Sequence, residues 1–170
     1  MFRNCSTLAS FTSDSSGSPV NLSSLVNGDD MFESCFALTS FSSYLPSLRY
    51  CNYMFRSCSA LTSFSSYLPK LTSGDYMFMG CSSLTNFNAD LSALEDGNYM
   101  FNGCSSLTSF TSKLSSLTDD GNMFEGCSAL TTFNADLSSL TDGKYMFENY
   151  TNLKSFTSDL SKLTIGEGMF

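Results

Sequence analysis

Residues 100–122 read MFNGCSSLTSFTSKLSSLTDDGN, and close variants of this 23-residue unit follow one another along the chain. The dipeptide Met-Phe marks the start of each unit and lies at Met1-Phe2, Met31-Phe32, Met54-Phe55, Met77-Phe78, Met100-Phe101, Met123-Phe124, Met146-Phe147 and Met169-Phe170. The spacing is 23 residues except for a first interval of 30, which places a seven-residue loop insertion near 15–21. A fixed period of this length indicates an architecture of stacked repeats.

The apolar residues of each unit hold fixed columns that are separated by Ser, Thr, Asn and Asp. Over residues 108–114, Phe110, Ser112 and Leu114 alternate with polar residues, and this period of two predicts a short strand with one inward face. In the segment 141–147, Asp142 suits the cap of a short helical or 3₁₀ segment that carries Met-Phe. Glycines in one column, namely Gly80, Gly103 and Gly126, suit a left-handed end of that segment.

One unit cannot fold alone, because its few inward side chains do not offset the entropy lost when its backbone is ordered. The units must therefore stack, and their strands form a parallel ladder. We expect a single solenoid domain over 1–170, with repeat units near 1–30, 31–53, 54–76, 77–99, 100–122, 123–145 and 146–168. The chain starts and stops at the same point of the repeat without a cap, which favours either a fragment of a longer array or coils that stack end to end between molecules.

Composition and charge argue against several classes of function. The net charge is −8 and the Lys and Arg residues do not cluster, so nucleic acid and anionic membrane are not expected as partners. No apolar run reaches about 18 residues, so we expect no transmembrane segment, and the stretch Met1–Ser6 lacks the features of a signal peptide. The chain has no histidine, the usual general base for Ser and Cys nucleophiles. We therefore expect no catalytic residues, no cofactor and no enzymatic activity.

Six of the seven cysteines share one column, namely Cys5, Cys35, Cys58, Cys81, Cys104 and Cys127, and Tyr150 takes the seventh place. Helical spacing puts this column on the same side as Met-Phe, which predicts a row of buried free thiols. A metal site would need paired cysteines or histidines at short spacing, so no metal is expected. Cys51 lies outside the column, beside Tyr50 and Tyr53, and the sequence leaves open that this thiol is exposed and reactive.

The pattern Cys-x-x-Leu-x-x-Phe, followed by a leucine pair and by Met-Phe-x-Gly-Cys, resembles the BspA-like class of bacterial leucine-rich repeats, whose unit also has 23 residues. The resemblance covers the whole chain. It implies a leucine-rich repeat solenoid of seven coils, each with a short parallel β-strand on a concave face and a short helical or 3₁₀ segment behind it. The chain departs from the family where Ser112 or Ala135 replaces a branched aliphatic residue, and where the leucine pair comes earlier in the unit. Members of the family are implied to be surface proteins that act in adhesion and protein binding.

The outward positions of the strands are the expected recognition surface, because a solenoid usually binds through its concave sheet. Two outward columns hold Ser, Thr and Asn, and a third column is more varied. The residues of that third column that we predict to bind a ligand are Tyr44, Tyr67, Asp90, Lys113, Asp136 and Asp159. The two tyrosines lie on adjacent coils and either stack to hold the ladder together or form a site for a sugar ring or a protein. A second stripe is expected to shield the outer edge of the core and consists of Tyr53, Tyr76, Tyr99 and Tyr145.

Three functions fit these features. The first is recognition of a protein or a surface by a non-enzymatic repeat protein at an extracellular, cell or virion surface. The second is a structural fibre or filament built by end-to-end stacking of uncapped solenoids. The third is a glycan- or ice-binding face, which is ranked last because Asn86, Asn88 and Asn134 interrupt the columns of hydroxyl groups.

Overall fold

The computed structural model describes residues 1–12, 20–148, 150 and 152–170. Seven parallel strands of two residues recur once per unit: β1 Ser10–Phe11, β2 Ser40–Phe41, β3 Ser63–Phe64, β4 Asn86–Phe87, β5 Ser109–Phe110, β6 Thr132–Phe133 and β7 Ser155–Phe156. Paired residues hold equivalent places in successive units, as Phe41 and Phe64 do. The chain is therefore a solenoid of stacked coils, as the period predicts.

The first coil accommodates the longer first interval on one side. Ser10 pairs with Ser40, whereas Asn21 is bridged to Tyr44, so the regular period of 23 is restored at Asn21. The extra residues of the first unit consequently fall between Phe11 and Asn21. Most of the predicted loop near 15–21 belongs to residues 13–19, which lie outside the described part of the chain.

Burial alternates beyond each strand, as the period of two predicts. In the fifth unit, Phe110 and Ser112 are buried while Thr111 and Lys113 are exposed. Backbone pairing is confined to Ser109–Phe110, so the strand is shorter than the predicted stretch 108–114. The extended backbone beyond the strand still sets which side chains face the core.

The core is a continuous row of aromatic, leucine, methionine and cysteine side chains. The phenylalanines of the Met-Phe dipeptides form one stack, with ring centroids 5.3 to 5.6 Å apart, and the strand phenylalanines form a second stack at 5.5 to 6.0 Å. The two stacks interlock edge-on, as Phe101 and Phe110 do at 5.2 Å. Because each aromatic pair contributes about 0.5–1.5 kcal/mol beyond its buried area, neighbouring coils hold each other in place.

Turns occupy the place of the predicted helical or 3₁₀ segment, which is not present among the described residues. In the third unit, the Cys58 N–H donates to the Phe55 carbonyl at 3.0 Å, but the Phe55 N–H donates to Met77 in the next coil at 2.9 Å. Tyr53 and Ser57 have positive φ angles of 60° and 62°. A left-handed residue cannot continue a helix, so coil-to-coil hydrogen bonds replace the helical i to i−4 pattern.

Of two sequence predictions about these turns, the left-handed glycines are confirmed and the helical cap is not. Gly80, Gly103 and Gly126 have φ angles of 74°, 73° and 73°, which confirms the predicted left-handed positions. Asp142 was predicted to cap a helical segment, but its carboxylate accepts the Lys144 N–H at 2.9 Å and so closes a turn.

The column cysteines connect each coil to the one before it. All are free thiols, buried except for the partly buried Cys5. From the second coil onward each thiol donates to a carbonyl of the preceding coil, as the Cys104 thiol does to Phe78 at 3.3 Å. Tyr150, in the seventh place, donates its hydroxyl to Phe124 at 2.7 Å. The column is therefore both an apolar filler and a row of hydrogen bonds.

Cys51 is buried, so the exposed and reactive thiol that the sequence left open is not found. It occupies the same column as Gly28 and Gly74, which faces the core, and its sulfur lies 3.2 Å from the Met77 sulfur. Desolvation raises the pKa of this thiol well above its usual value, with Asp29 and Asp75 adding to the effect. The thiol is accordingly protonated and inert.

The strands belong to two sheets, ordered β1-β2-β3-β4 and β5-β6-β7. The interruption falls between coil 4 (77–99) and coil 5 (100–122). The Phe87 and Phe110 rings remain stacked across it at 5.8 Å. The core is thus continuous although the sheet is not.

Candidate functional site

The six predicted binding residues lie in one exposed column on the strand side of the solenoid. Each lies three residues after a strand phenylalanine, where the alternation along the extended backbone turns the side chain outward. Asn21, which is bridged to Tyr44, is the first member. The column, here called the variable column, consists of Asn21, Tyr44, Tyr67, Asp90, Lys113, Asp136 and Asp159.

Tyr44 and Tyr67 form the aromatic part of the variable column. Their rings are nearly parallel, with an interplanar angle of 3° and centroids 5.7 Å apart. They nevertheless stay 59% and 52% exposed. Stacking on the neighbouring coil therefore orders the two rings while leaving about half of each available to a ligand.

The acidic members of the column also close turns. Asp90, Asp136 and Asp159 each accept the backbone N–H of the residue two places on, at 2.9, 3.0 and 2.8 Å. Asn21 does the same at 2.9 Å. These are Asx turns, in which a short side chain satisfies an N–H that the turn would otherwise leave open. A local structural role thus accounts for one oxygen of each carboxylate, and the three aspartates remain exposed.

Proline removes the need for such a cap in the two coils that carry tyrosine. The residues two places after Tyr44 and Tyr67 are Pro46 and Pro69, which have no backbone N–H. The turn therefore requires no acceptor at the column position. The turn explains the aspartates but does not explain the exposed tyrosines.

Charge dominates the remainder of the column. Lys113 lies between Asp90 and Asp136 on neighbouring coils. Two hydrogen bonds from Ser138, together with the nearby Lys113 ammonium, hold the pKa of Asp136 below its usual range. Asp136 is therefore ionised at neutral pH, and this end of the column presents carboxylates around one lysine.

A depression of about 660 Å³ adjoins Tyr44 at the first two coils. Its described lining includes Thr12, Asn21 and Ser42, whose side chains are exposed. Ser43 donates its hydroxyl to the Val20 carbonyl at 3.1 Å and holds this wall in place. The depression combines one aromatic ring with neutral hydroxyl and amide groups.

The second tyrosine stripe has a different environment. Tyr53, Tyr76 and Tyr99 stack at 4.9 and 5.0 Å and are only half-exposed. All three have positive φ, between 57° and 60°, which is strained for a side chain of this size. The Arg56 guanidinium lies 5.6 Å from the centroid of the Tyr53 ring, at the end of the stack. The shielding role of this stripe stays a prediction.

Asp120 is a buried ionisable residue that the sequence reasoning missed. It is 0% exposed, and its Oδ2 atom has no hydrogen-bond partner. The sequence carries a signal for it, because Asp120 stands in a core-facing column otherwise occupied by Gly28, Cys51, Gly74, Gly97, Gly143 and Gly166.

Over the described ranges, no group of three or more His, Cys, Asp or Glu side chains is arranged to hold a metal ion. The same residues contain no helix of the length and hydropathy that a membrane crossing requires.

Comparison with known proteins gives one match. The family model described as BspA type leucine-rich repeat region matches residues 1–94 and 71–170, with six copies of the repeat. No curated protein and no solved structure matches the chain.

Proposed function

The chain belongs to the BspA-type leucine-rich repeat family. We propose that it is a non-enzymatic protein that binds a protein partner through the variable column. Leucine-rich repeats typically mediate protein binding, and the family is generally without enzymatic activity. BspA-type repeats are also often associated with surfaces, so the proposed location is an extracellular, cell or virion surface.

The observation that carries this proposal is the exposed pair Tyr44 and Tyr67. A stacked pair of rings that is half accessible resembles the aromatic anchors at the centre of protein interfaces. The local turn does not need these side chains, because Pro46 and Pro69 have removed the N–H that would be capped. Ligand binding gives a reason for tyrosine at both positions.

The charges of the column specify the partner further. Asp90, Asp136 and Asp159 each keep one carboxylate oxygen outside the Asx turn, and Lys113 is the single cation among them. We propose that the partner presents an apolar patch to the tyrosines and basic side chains to the carboxylates. Charge complementarity of this kind mainly raises the association rate and weakens with added salt.

A binding assay with matched variants tests the proposal. The native chain is immobilised and probed with a library of displayed extracellular proteins, and a captured protein is then titrated against Tyr44→Ala/Tyr67→Ala. We expect its affinity to fall by about tenfold or more. Tyr50→Ala is the control, because Tyr50 is an exposed tyrosine, 44% accessible, that lies outside the column. Equal loss in the control, or no loss in the double variant, contradicts the proposal.

Glycan binding is the second candidate, and the depression beside Tyr44 favours it. A sugar ring stacks on an aromatic face and hydrogen-bonds to neutral groups such as those of Thr12, Asn21 and Ser42. Glycan-array binding that is lost in Tyr44→Ala and retained in Tyr67→Ala would favour this candidate, since only Tyr44 lines the depression. Absence of binding on the array would remove it.

A further inference from the structure

The contacts between coils 4 and 5 differ from those at the other coil boundaries. β4 and β5 do not pair on the strand side. On another side of the coils, bridges join Ser73 to Asp96 and Asp119 to Asp142, but Asp96 and Asp119 are not bridged to each other. A column of threonine hydroxyls that donate to the preceding coil also omits Thr108 and comprises Thr39, Thr62, Thr85 and Thr131. Three independent ladders are thus interrupted at one place.

The Met-Phe turns and the core still join the two coils. The Phe78 N–H donates to Met100 at 2.8 Å, and the Gly80 N–H reaches coil 5 at the same distance. The Phe87 and Phe110 rings stay stacked, but their interplanar angle of 13° is the largest in the strand stack. The Ser115 and Ser116 hydroxyls also donate to the Ser92 carbonyl of coil 4, at 3.4 and 2.6 Å. Coils 4 and 5 are therefore joined at the Met-Phe turns, in the core and by these two hydroxyls, whereas the backbone pairing of both bridged columns is missing.

Asp120 lies at this interrupted boundary. At other boundaries the equivalent N–H donates to a backbone carbonyl of the next coil, as Gly74 does to Asp96 at 2.9 Å and Gly143 does to Ile165 at 2.9 Å. At coil 4 the Gly97 N–H donates instead to Asp120 Oδ1 at 2.8 Å. The carboxyl group thus takes the place of the missing backbone contact.

The surroundings of Asp120 disfavour its charged form. Desolvation raises the pKa of its carboxyl group to about 8, although the hydrogen bond from Gly97 acts in the opposite direction. The charged groups that face it are Asp75 of coil 3, Asp96 of coil 4 and Asp119 of coil 5, and all three are acidic. An ionised Asp120 would therefore be a buried carboxylate with one unpaired oxygen and only negative neighbours.

We propose that the boundary between coils 4 and 5 is a pH-responsive joint, closed when Asp120 is protonated and opened when it is ionised. Opening about the Met-Phe turns lets water reach the carboxylate without unfolding either half. The joint divides the variable column into a part with Tyr44 and Tyr67 and a part with Lys113, Asp136 and Asp159. Its opening would change how these two parts align, whatever ligand the column takes.

Amide hydrogen exchange of the native full chain tests the joint. The measured quantity is the protection of the Gly97 N–H relative to the Gly74 N–H, corrected for intrinsic exchange. The equilibrium constant for an opening that moves Asp120 into water should rise about tenfold per pH unit, over the range between the usual pKa of an aspartate and the raised pKa of Asp120. We therefore expect the protection ratio to fall by about that factor per pH unit from pH 5 to 7 and to level off above about pH 8. A ratio that does not change with pH overturns the proposal.

Three variants complete the test. Asp120→Asn cannot ionise and should give a flat protection ratio. Asp120→Gly restores the glycine that predominates in this column, so its protection ratio should also be independent of pH and the joint should stay closed. This variant serves as the test if Asp120→Asn fails to fold. Asp119→Asn is the matched control, because Asp119 is exposed, and it should keep the slope with a slightly lower midpoint. Persistence of the wild-type slope in either Asp120 variant contradicts the proposal.

Discussion

Replacing Asp120 with asparagine should make the free energy of unfolding less dependent on pH. Asparagine retains an oxygen that can accept the Gly97 N–H, which Asp120 Oδ1 accepts at 2.8 Å, but it cannot ionise. In the wild-type protein, desolvation raises the pKa of Asp120 from 3.8 to about 8 on folding. The variant removes this difference between the folded and the unfolded chain and leaves the hydrogen bond.

The sign and the size of the effect follow from proton linkage. The folded chain binds the Asp120 proton more tightly, so unfolding releases a proton between about pH 4 and pH 8. The contribution of this group to stability is complete below that window and is lost as the pH rises through it. Two pKa values about four pH units apart correspond to about 5 kcal/mol. This figure is an upper limit, because opening of the joint relieves part of the cost.

Urea denaturation at about pH 5, 7 and 9 measures the effect in both proteins. The pKa of Asp75 is also raised by desolvation, but Asp75 is present in both chains, so the difference between them isolates Asp120. We expect the variant to gain stability relative to wild type as the pH rises, by several kcal/mol over this range. A difference that stays constant within about 0.5 kcal/mol would refute the reasoning.

Phe101→Ala should lower the free energy of unfolding by about 3–5 kcal/mol in urea, because its buried ring is stacked between Phe78 and Phe124; a loss below about 1 kcal/mol would contradict the interlocked core. Tyr44→Ala should cost less than about 1.5 kcal/mol in the same assay, since that ring is half-exposed with one aromatic partner. A thiol reagent should modify the partly buried Cys5 first in the native protein and the buried thiols only after unfolding; uniform native rates would argue against a closed core. If solenoids stack end to end, the mass from light scattering should grow with protein concentration, and a constant monomer mass excludes the filament.

The repeat period was sufficient to predict the solenoid and the inward or outward direction of nearly every column. The alternation around Phe110 and Lys113, for example, is a property of extended backbone alone. The turns at Met-Phe could not be predicted in the same way, because the N–H groups of Tyr53 and Ser57, both at positive φ, donate to carbonyls of the next coil, Asp75 and Met79. The acceptors of these hydrogen bonds are supplied by stacking, so the sequence of one unit does not determine the conformation of its turn.

The candidate site shows the same division. The sequence predicted the exposed column that contains Tyr44 and Tyr67, since their positions follow from the repeat. The burial of Cys51 was missed because this residue was compared with its chain neighbours Tyr50 and Tyr53, and Asp120 was not singled out at all. Comparison down the column of glycines would have placed both inside the core. In a repeat protein, a residue's environment is defined by the equivalent positions one period away.

The cysteine column has a consequence for how such a chain can change in length. Every thiol of the column from the second coil onward donates to the coil before it, so most coils offer their predecessor and their successor nearly the same pair of surfaces. If a whole 23-residue unit were added or deleted, the coils brought together would make the same kinds of contact as the present neighbours do. An insertion of any other size would have to leave the stack as a loop. Duplication in frame is thus a route by which this molecule can be lengthened while the core keeps its composition.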